Sequence, residues 1–228
     1  MKDWGEVSEI FDDISSKAFS KELNNTSEAQ TRFDVIDRII KEVLQWENGQ
    51  ISVEPHTTGV RDGYIDYLLK AGDFTIIIEA KKVGASFPTP TKRKKLKLTG
   101  SILNSGEIKA ALEQAEDYAK NKNADIVMVT NGNCWCFYPM GEIDKNKIYA
   151  NLLFPFESNE DANELFNLFE VHNVENDSLK AINIESDIIL NNKLNNIVSN
   201  SDYRMGRNNI ADHIMSAIDH AIDRKSVV

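Results

Sequence analysis

Three consecutive isoleucines, Ile76-Ile77-Ile78, run directly into Glu79-Ala80-Lys81, and few folds can accept that junction. A β-branched run reads as a strand, and a charged pair ending it is odd for a plain core strand. Desolvating a glutamate and a lysine at its end is costly unless the two serve each other or an ion. The strand period of two puts Glu79 and Lys81 on one face. Upstream, Tyr64 to Leu69 reads as a second strand, joined to Phe74 to Glu79 by the turn Lys70-Ala71-Gly72-Asp73. Antiparallel pairing then sets Asp66 opposite the end of its partner, so two carboxylates and one ammonium converge.

The rest of the chain supplies cover for such a pair. Residues 2–19 have helical spacing (Trp4, Val7, Ile10, Phe11, Ile14, Ala18) and end at Asn24-Asn25-Thr26. A second helix is expected from Ser27, which with Gln30 three positions on reads as a capping box. Its apolar stripe, Phe33, Ile36, Ile40, Val43 and Leu44, stops at Asn48-Gly49. Ile51 to Glu54 completes a three-stranded antiparallel meander. Glu107 to Lys120 reads as a helix and Asp125 to Thr130 as a buried strand. Asn131-Gly132 signals a tight type I′ hairpin into Cys134 to Tyr138. Lys147 to Phe156 is a further strand, and from Glu160 the pattern is helical. It ends in an amphipathic helix over Arg207 to Arg224 whose apolar face needs a cover.

This order describes an α/β sandwich, a central mixed sheet flanked by helices, with a helical C-terminal extension. The expected division is a main domain over 1–170, its core at about 26–156, and an extension over 171–228 for docking or oligomerisation.

At 228 residues and 41% hydrophobic, the chain can build a packed interior. No segment approaches the roughly 18 apolar residues that span a bilayer. The opening MKDWGEVSEIFDD carries acids where a signal peptide needs a basic and then apolar segment, so a cytoplasmic location without membrane contact is expected. The net charge of −10 argues against indiscriminate nucleic-acid binding, which draws on neutralised phosphates. The one concentration of cations is Lys92, Arg93, Lys94, Lys95 and Lys97, in the long connection Gly84 to Gly106. It reads either as a set of phosphate contacts or as a solvated loop. Cys134 and Cys136, two apart on a strand, read as buried free thiols rather than half of a zinc set. His213 and His220 read as surface or core-edge residues, and His56 and His172 stand alone.

Two acids and an amine around one point suit metal-assisted phosphodiester hydrolysis. Magnesium takes oxygen ligands, keeps several waters, and is commonly held by one or two carboxylates plus substrate phosphate. Asp66 and Glu79 supply the carboxylates, and the Ala80 carbonyl is a candidate third ligand. Lys81 has two open duties: orienting or deprotonating the attacking water, or stabilising charge on phosphorus.

On these residues the chain resembles the PD-(D/E)xK nucleases, whose pattern is an acid, a hairpin and then (D/E)-x-K. Asp66 and Glu79-Ala80-Lys81 match it, with Ile65 where the nominal pattern has proline. Gln114-Ala115-Glu116-Asp117-Tyr118 is similar to the Q-x-x-x-Y motif of RecB-like members, with Gln114 and Tyr118 on one helical face. Ser27-Glu28-Ala29-Gln30-Thr31-Arg32 is similar to the helix that contributes an additional acid. Glu28 is therefore either an outer metal ligand or only a first-turn acid serving the helix dipole. With Val129-Thr130-Asn131-Gly132-Asn133-Cys134-Trp135, the set looks most like the N-terminal nuclease domain of type I restriction enzyme cleavage subunits and of related anti-phage proteins, over roughly residues 26 to 170.

The resemblance implies a restriction-endonuclease-like fold and magnesium as cofactor, with manganese able to substitute. It also implies endonucleolytic cleavage of DNA in bacterial defence. The implied partners are an ATPase, sensor or translocase, or a second copy through the C-terminal helices. No G-x-x-x-x-G-K-[ST] is present, so ATP hydrolysis is not expected of this chain. The alternatives are a non-cleaving DNA-binding or scaffold module of the same fold, or a nuclease acting on RNA or branched DNA.

Overall fold

A computed structural model describes residues 3–18, 27–53, 56–57, 63–89, 94–141, 146 and 148–182. All lie in the first of the two units into which the chain divides, Met1–Asn183. Lys92, Arg93, His213, His220 and the helix expected over Arg207 to Arg224 lie outside the described residues.

The isoleucine run forms β5 (Phe74–Ala80), third from one edge of a seven-stranded mixed sheet. The sheet runs β1 (Ile51–Val53), β4 (Tyr67–Ala71), β5, β7 (Ile126–Thr130), β8 (Trp135–Pro139), β9 (Tyr149–Leu153), β6 (Lys95–Lys97). A short hairpin of β2 (His56–Thr57) and β3 (Gly63–Tyr64) stands apart from it. Every neighbouring pair is antiparallel except β5 and β7, which are joined through helix α3 (Gly106–Lys122), as parallel strands require a crossover.

Alternation along the strands builds two cores. On one face, Ile76, Ile78, Met128, Trp135 and Phe137 pack under α1 (Trp4–Ala18), the helical run beginning with α2 (Glu28–Thr31), α4 (Asn159–Phe169) and α5 (Val171–Glu175). On the other, Ile77, Val127, Val129, Cys136 and Tyr138 pack under α3 through Ile108, Leu112, Ala115 and Ala119. The sandwich reading therefore holds at the level of a mixed sheet between helices. Val171, Val174, Leu179 and Ile182, counted with the extension in the sequence reading, are buried in the first of these cores.

Four local readings need correction. The helix after Ser27 begins α-helical over Glu28–Thr31 and continues mainly in π-helical turns, Arg32–Ile36 and Ile39–Val43. Ser27 caps it by accepting the Gln30 N–H at 3.2 Å, but the Gln30 side chain donates to Asp34 instead of closing a capping box. The β7–β8 connection is a four-residue loop, not a two-residue type I′ turn. Asn131 folds its side chain forward to accept the N–H groups of Asn133 and Cys134, leaving Gly132 as the residue with positive φ, +88°. Finally, part of the basic loop is a strand: Lys95–Lys97 pairs antiparallel with β9 and forms one edge of the sheet.

Candidate active site

The β4–β5 ladder ends for a reason that also builds the site. The register pairs Tyr67 with Ile78, yet the next N–H available to β4, that of Ala80, donates to the Asp66 carboxylate (Oδ2, 2.7 Å). Asp66 thus leaves strand conformation just ahead of β4, and its carboxylate is drawn to the end of β5. On the other side of β5, the Lys81 N–H donates to the Thr130 carbonyl at 2.8 Å, extending the parallel ladder one step past Ala80 and fixing the backbone that carries the lysine.

Glu79 is only 2% exposed. Its Oε1 accepts the Lys81 ammonium at 2.6 Å, whereas its Oε2 is buried without a hydrogen-bond partner among the described residues. Burial first, and then the Asp66 charge, push the Glu79 carboxyl up to about 7 against the pull of Lys81. Burial alone would lower the Lys81 pKa, but Glu79, Glu28 and Asp66 outweigh it and the net shift is upward. The Glu28 carboxylate stands 3.7 Å from the Lys81 ammonium, so Glu28, half exposed at the start of α2, approaches the lysine side of the cluster.

Asp66, Glu79 and Lys81 are therefore brought together, as the strand spacing predicts, and Glu28, which the resemblance singles out, approaches them through Lys81. Ala80 contributes its N–H to holding Asp66. Gln114 and Tyr118 do share a face of α3, and the Gln114 amide donates to the Tyr118 hydroxyl at 3.4 Å; Tyr118 itself is buried under the helix. The described members of the basic run, Lys94, Lys95 and Lys97, lie elsewhere. The Lys94 ammonium is ion-paired with the buried Asp161 of α4, and Lys95 and Lys97 sit on β6, four strands along the sheet from β5.

Sequence reasoning missed the support around these side chains. The Arg32 guanidinium donates to Asp66 Oδ1 at 2.9 Å and lies over the Tyr67 ring, 5.1 Å from its centroid. The Tyr67 hydroxyl in turn donates to Asp37 at 2.7 Å. Thr31, fully buried, accepts the Val83 N–H, and the Asn131 amide faces the carbonyls of Val83 and Ala85, so the chain leaving Lys81 is pinned from two sides. The available signal was Arg32 four residues after Glu28, hence on the same side of a helix.

Among the described residues, no three His, Cys, Asp or Glu side chains form a ready-made metal cluster. The donor set fits magnesium in the sparser manner typical of that ion. One buried carboxylate oxygen lacks a partner, a second carboxylate lies close enough to raise its pKa, and waters and phosphate can fill the remaining positions. No protein-family model, curated protein or solved structure matches the chain.

Proposed function

We propose that this chain is a magnesium-dependent nuclease that hydrolyses phosphodiester bonds in DNA, acting as the nuclease module of a bacterial anti-phage or restriction system. The observation that carries the reading is the Glu79 carboxylate, buried beside a second acid with one oxygen unpartnered among the described residues. A purely structural ion pair gains little from such burial, because desolvation offsets the attraction. A group held ready for a cation and a phosphate accounts for the arrangement.

In this reading Asp66 and Glu79 hold the ion, which when bound supplies a polarised phosphate and an acidified water. Lys81, held at 2.6 Å by Glu79, is placed beside the ion, where its ammonium can stabilise negative charge developing on the phosphate. Glu28 steers the lysine through its 3.7 Å approach. Gln114 and Tyr118 keep the role of the motif they resemble, lining the approach from α3. Restriction-endonuclease-like topology and partnership with an ATPase, sensor or translocase belong to the same proposal and rest on the family resemblance.

The test is cleavage of plasmid, linear duplex, single-stranded DNA and RNA with and without magnesium. Glu79→Ala and Lys81→Ala should each lower DNA cleavage by a factor of about 10² or more, consistent with the loss of one electrostatic stabiliser. Their circular dichroism should be unchanged. Magnesium-dependent cleavage persisting in both variants defeats the site assignment, and cleavage of RNA alone redirects the substrate.

A further inference from the structure

Arg32 is held in place by more than the carboxylate it contacts. It begins the first π-helical turn, and its guanidinium stacks on Tyr67, with Nε donating to the Tyr67 hydroxyl at 3.4 Å. That hydroxyl is fixed by its own bond to Asp37. The cation is therefore pre-positioned by an aromatic face and a hydrogen-bonded phenol. From there it meets Asp66 Oδ1 at 2.9 Å, in a pair whose side chains are 15% and 13% exposed. Both Asp66 oxygens are thus engaged, one by Arg32 and the other by the Ala80 N–H, while Glu79 is engaged by Lys81.

We infer that Arg32, paired with Asp66, is a built-in counter-cation that sets the affinity of the site for divalent metal. The inference rests on the metal-site reading above and adds a residue to it. Two opposed effects decide its sign. Holding Asp66 in one rotamer favours metal binding, but the saving is that of a short side chain with little freedom to lose. A fixed positive charge a few ångströms from a dication opposes binding, and at an effective dielectric of about 20 this repulsion is the larger effect. Arg32 therefore weakens metal binding while keeping the acidic corner compact.

The experiment titrates Mn2+ into the 228-residue chain after chelation and reads free Mn2+ by electron paramagnetic resonance, so no turnover is needed. Arg32→Gln should bind Mn2+ roughly tenfold more tightly than the parent, a change of about 1.4 kcal/mol. Arg32→Lys, which keeps the charge, should stay near the parent. Tyr67→Phe removes the phenol that holds the guanidinium without altering any charge at neutral pH. It should tighten binding in the same direction by a smaller factor, and it carries the test if Arg32→Gln does not fold. A merely structural arginine would give looser binding in all of these variants. Equal or weaker Mn2+ binding by Arg32→Gln, or by Tyr67→Phe in its place, with the parent binding normally, overturns the inference and leaves the metal site standing. A parent that does not bind Mn2+, or a Glu79→Ala protein that binds it as the parent does, overturns the metal-site reading and this inference with it.

Discussion

Cys134 and Cys136 both point into the core beneath α3, neither in a disulfide. Burial pushes the Cys136 thiol up to about 12, and burial followed by its neighbour's charge also raises Cys134. Because the folded pKa exceeds the ordinary value of 9.0, the fold retains these protons longer than the unfolded chain does. Their contribution is complete below that value and is lost as pH rises through the folded one, so stability should fall on the alkaline side. Urea denaturation at about pH 7.5 and 10.5 should show a larger alkaline loss for the parent than for Cys136→Ala, and iodoacetamide should leave the native thiols unmodified near pH 8. Equal alkaline losses would contradict this. The thiols were legible in the sequence because two cysteines amid Trp135, Phe137 and Tyr138 have little else to do. Asp66, Glu79 and Lys81 were legible because charge interrupting an apolar strand has to be explained. Arg32 was not, since a charged residue on a half-exposed helix is ordinary, and only its pairing with Asp66, 34 residues away, gives it a role.

Among the elements, β5, β7, β8 and α3 were readable because their burial is simple: a strand covered on both faces, or one helix with one apolar stripe. The segment after Ser27 was harder. Its apolar residues fit an α-helix, and nothing local marks where the hydrogen bonding shifts to the wider π pattern. Phe33, assigned to the apolar stripe, is 68% exposed as a result of that altered phase. The edge strand β6 was hidden for another reason. Three residues, Lys95-Leu96-Lys97, carry too little alternation to stand out from the cations before them. Once β6 is seen at the sheet edge, its lysines have a duty of their own, because charge on an edge strand discourages pairing with another sheet. Replacing Lys95 and Lys97 together by Thr should increase concentration-dependent association, measured by light scattering. Unchanged scattering would contradict this role.

At the scale of the described molecule, two apolar cores on opposite faces of one sheet supply stability, and the buried acidic corner at the end of β5 works against it. Domains of this kind retain only about 5–15 kcal/mol in total, so a single buried, imperfectly compensated carboxylate is felt globally. In metal-free buffer near pH 8, the neutral Glu79→Gln protein should melt above the parent by differential scanning calorimetry, with saturating magnesium narrowing the gap by stabilising the parent. A variant that melts lower would mean that the bond to Lys81 outweighs the cost of burial. The unpartnered Oε2 of Glu79 then has an evolutionary reading. If natural selection ceased to demand catalysis, the easiest route to a sturdier chain would run through that very atom, and lineages freed from the task would be expected to lose this glutamate early while preserving the surrounding architecture.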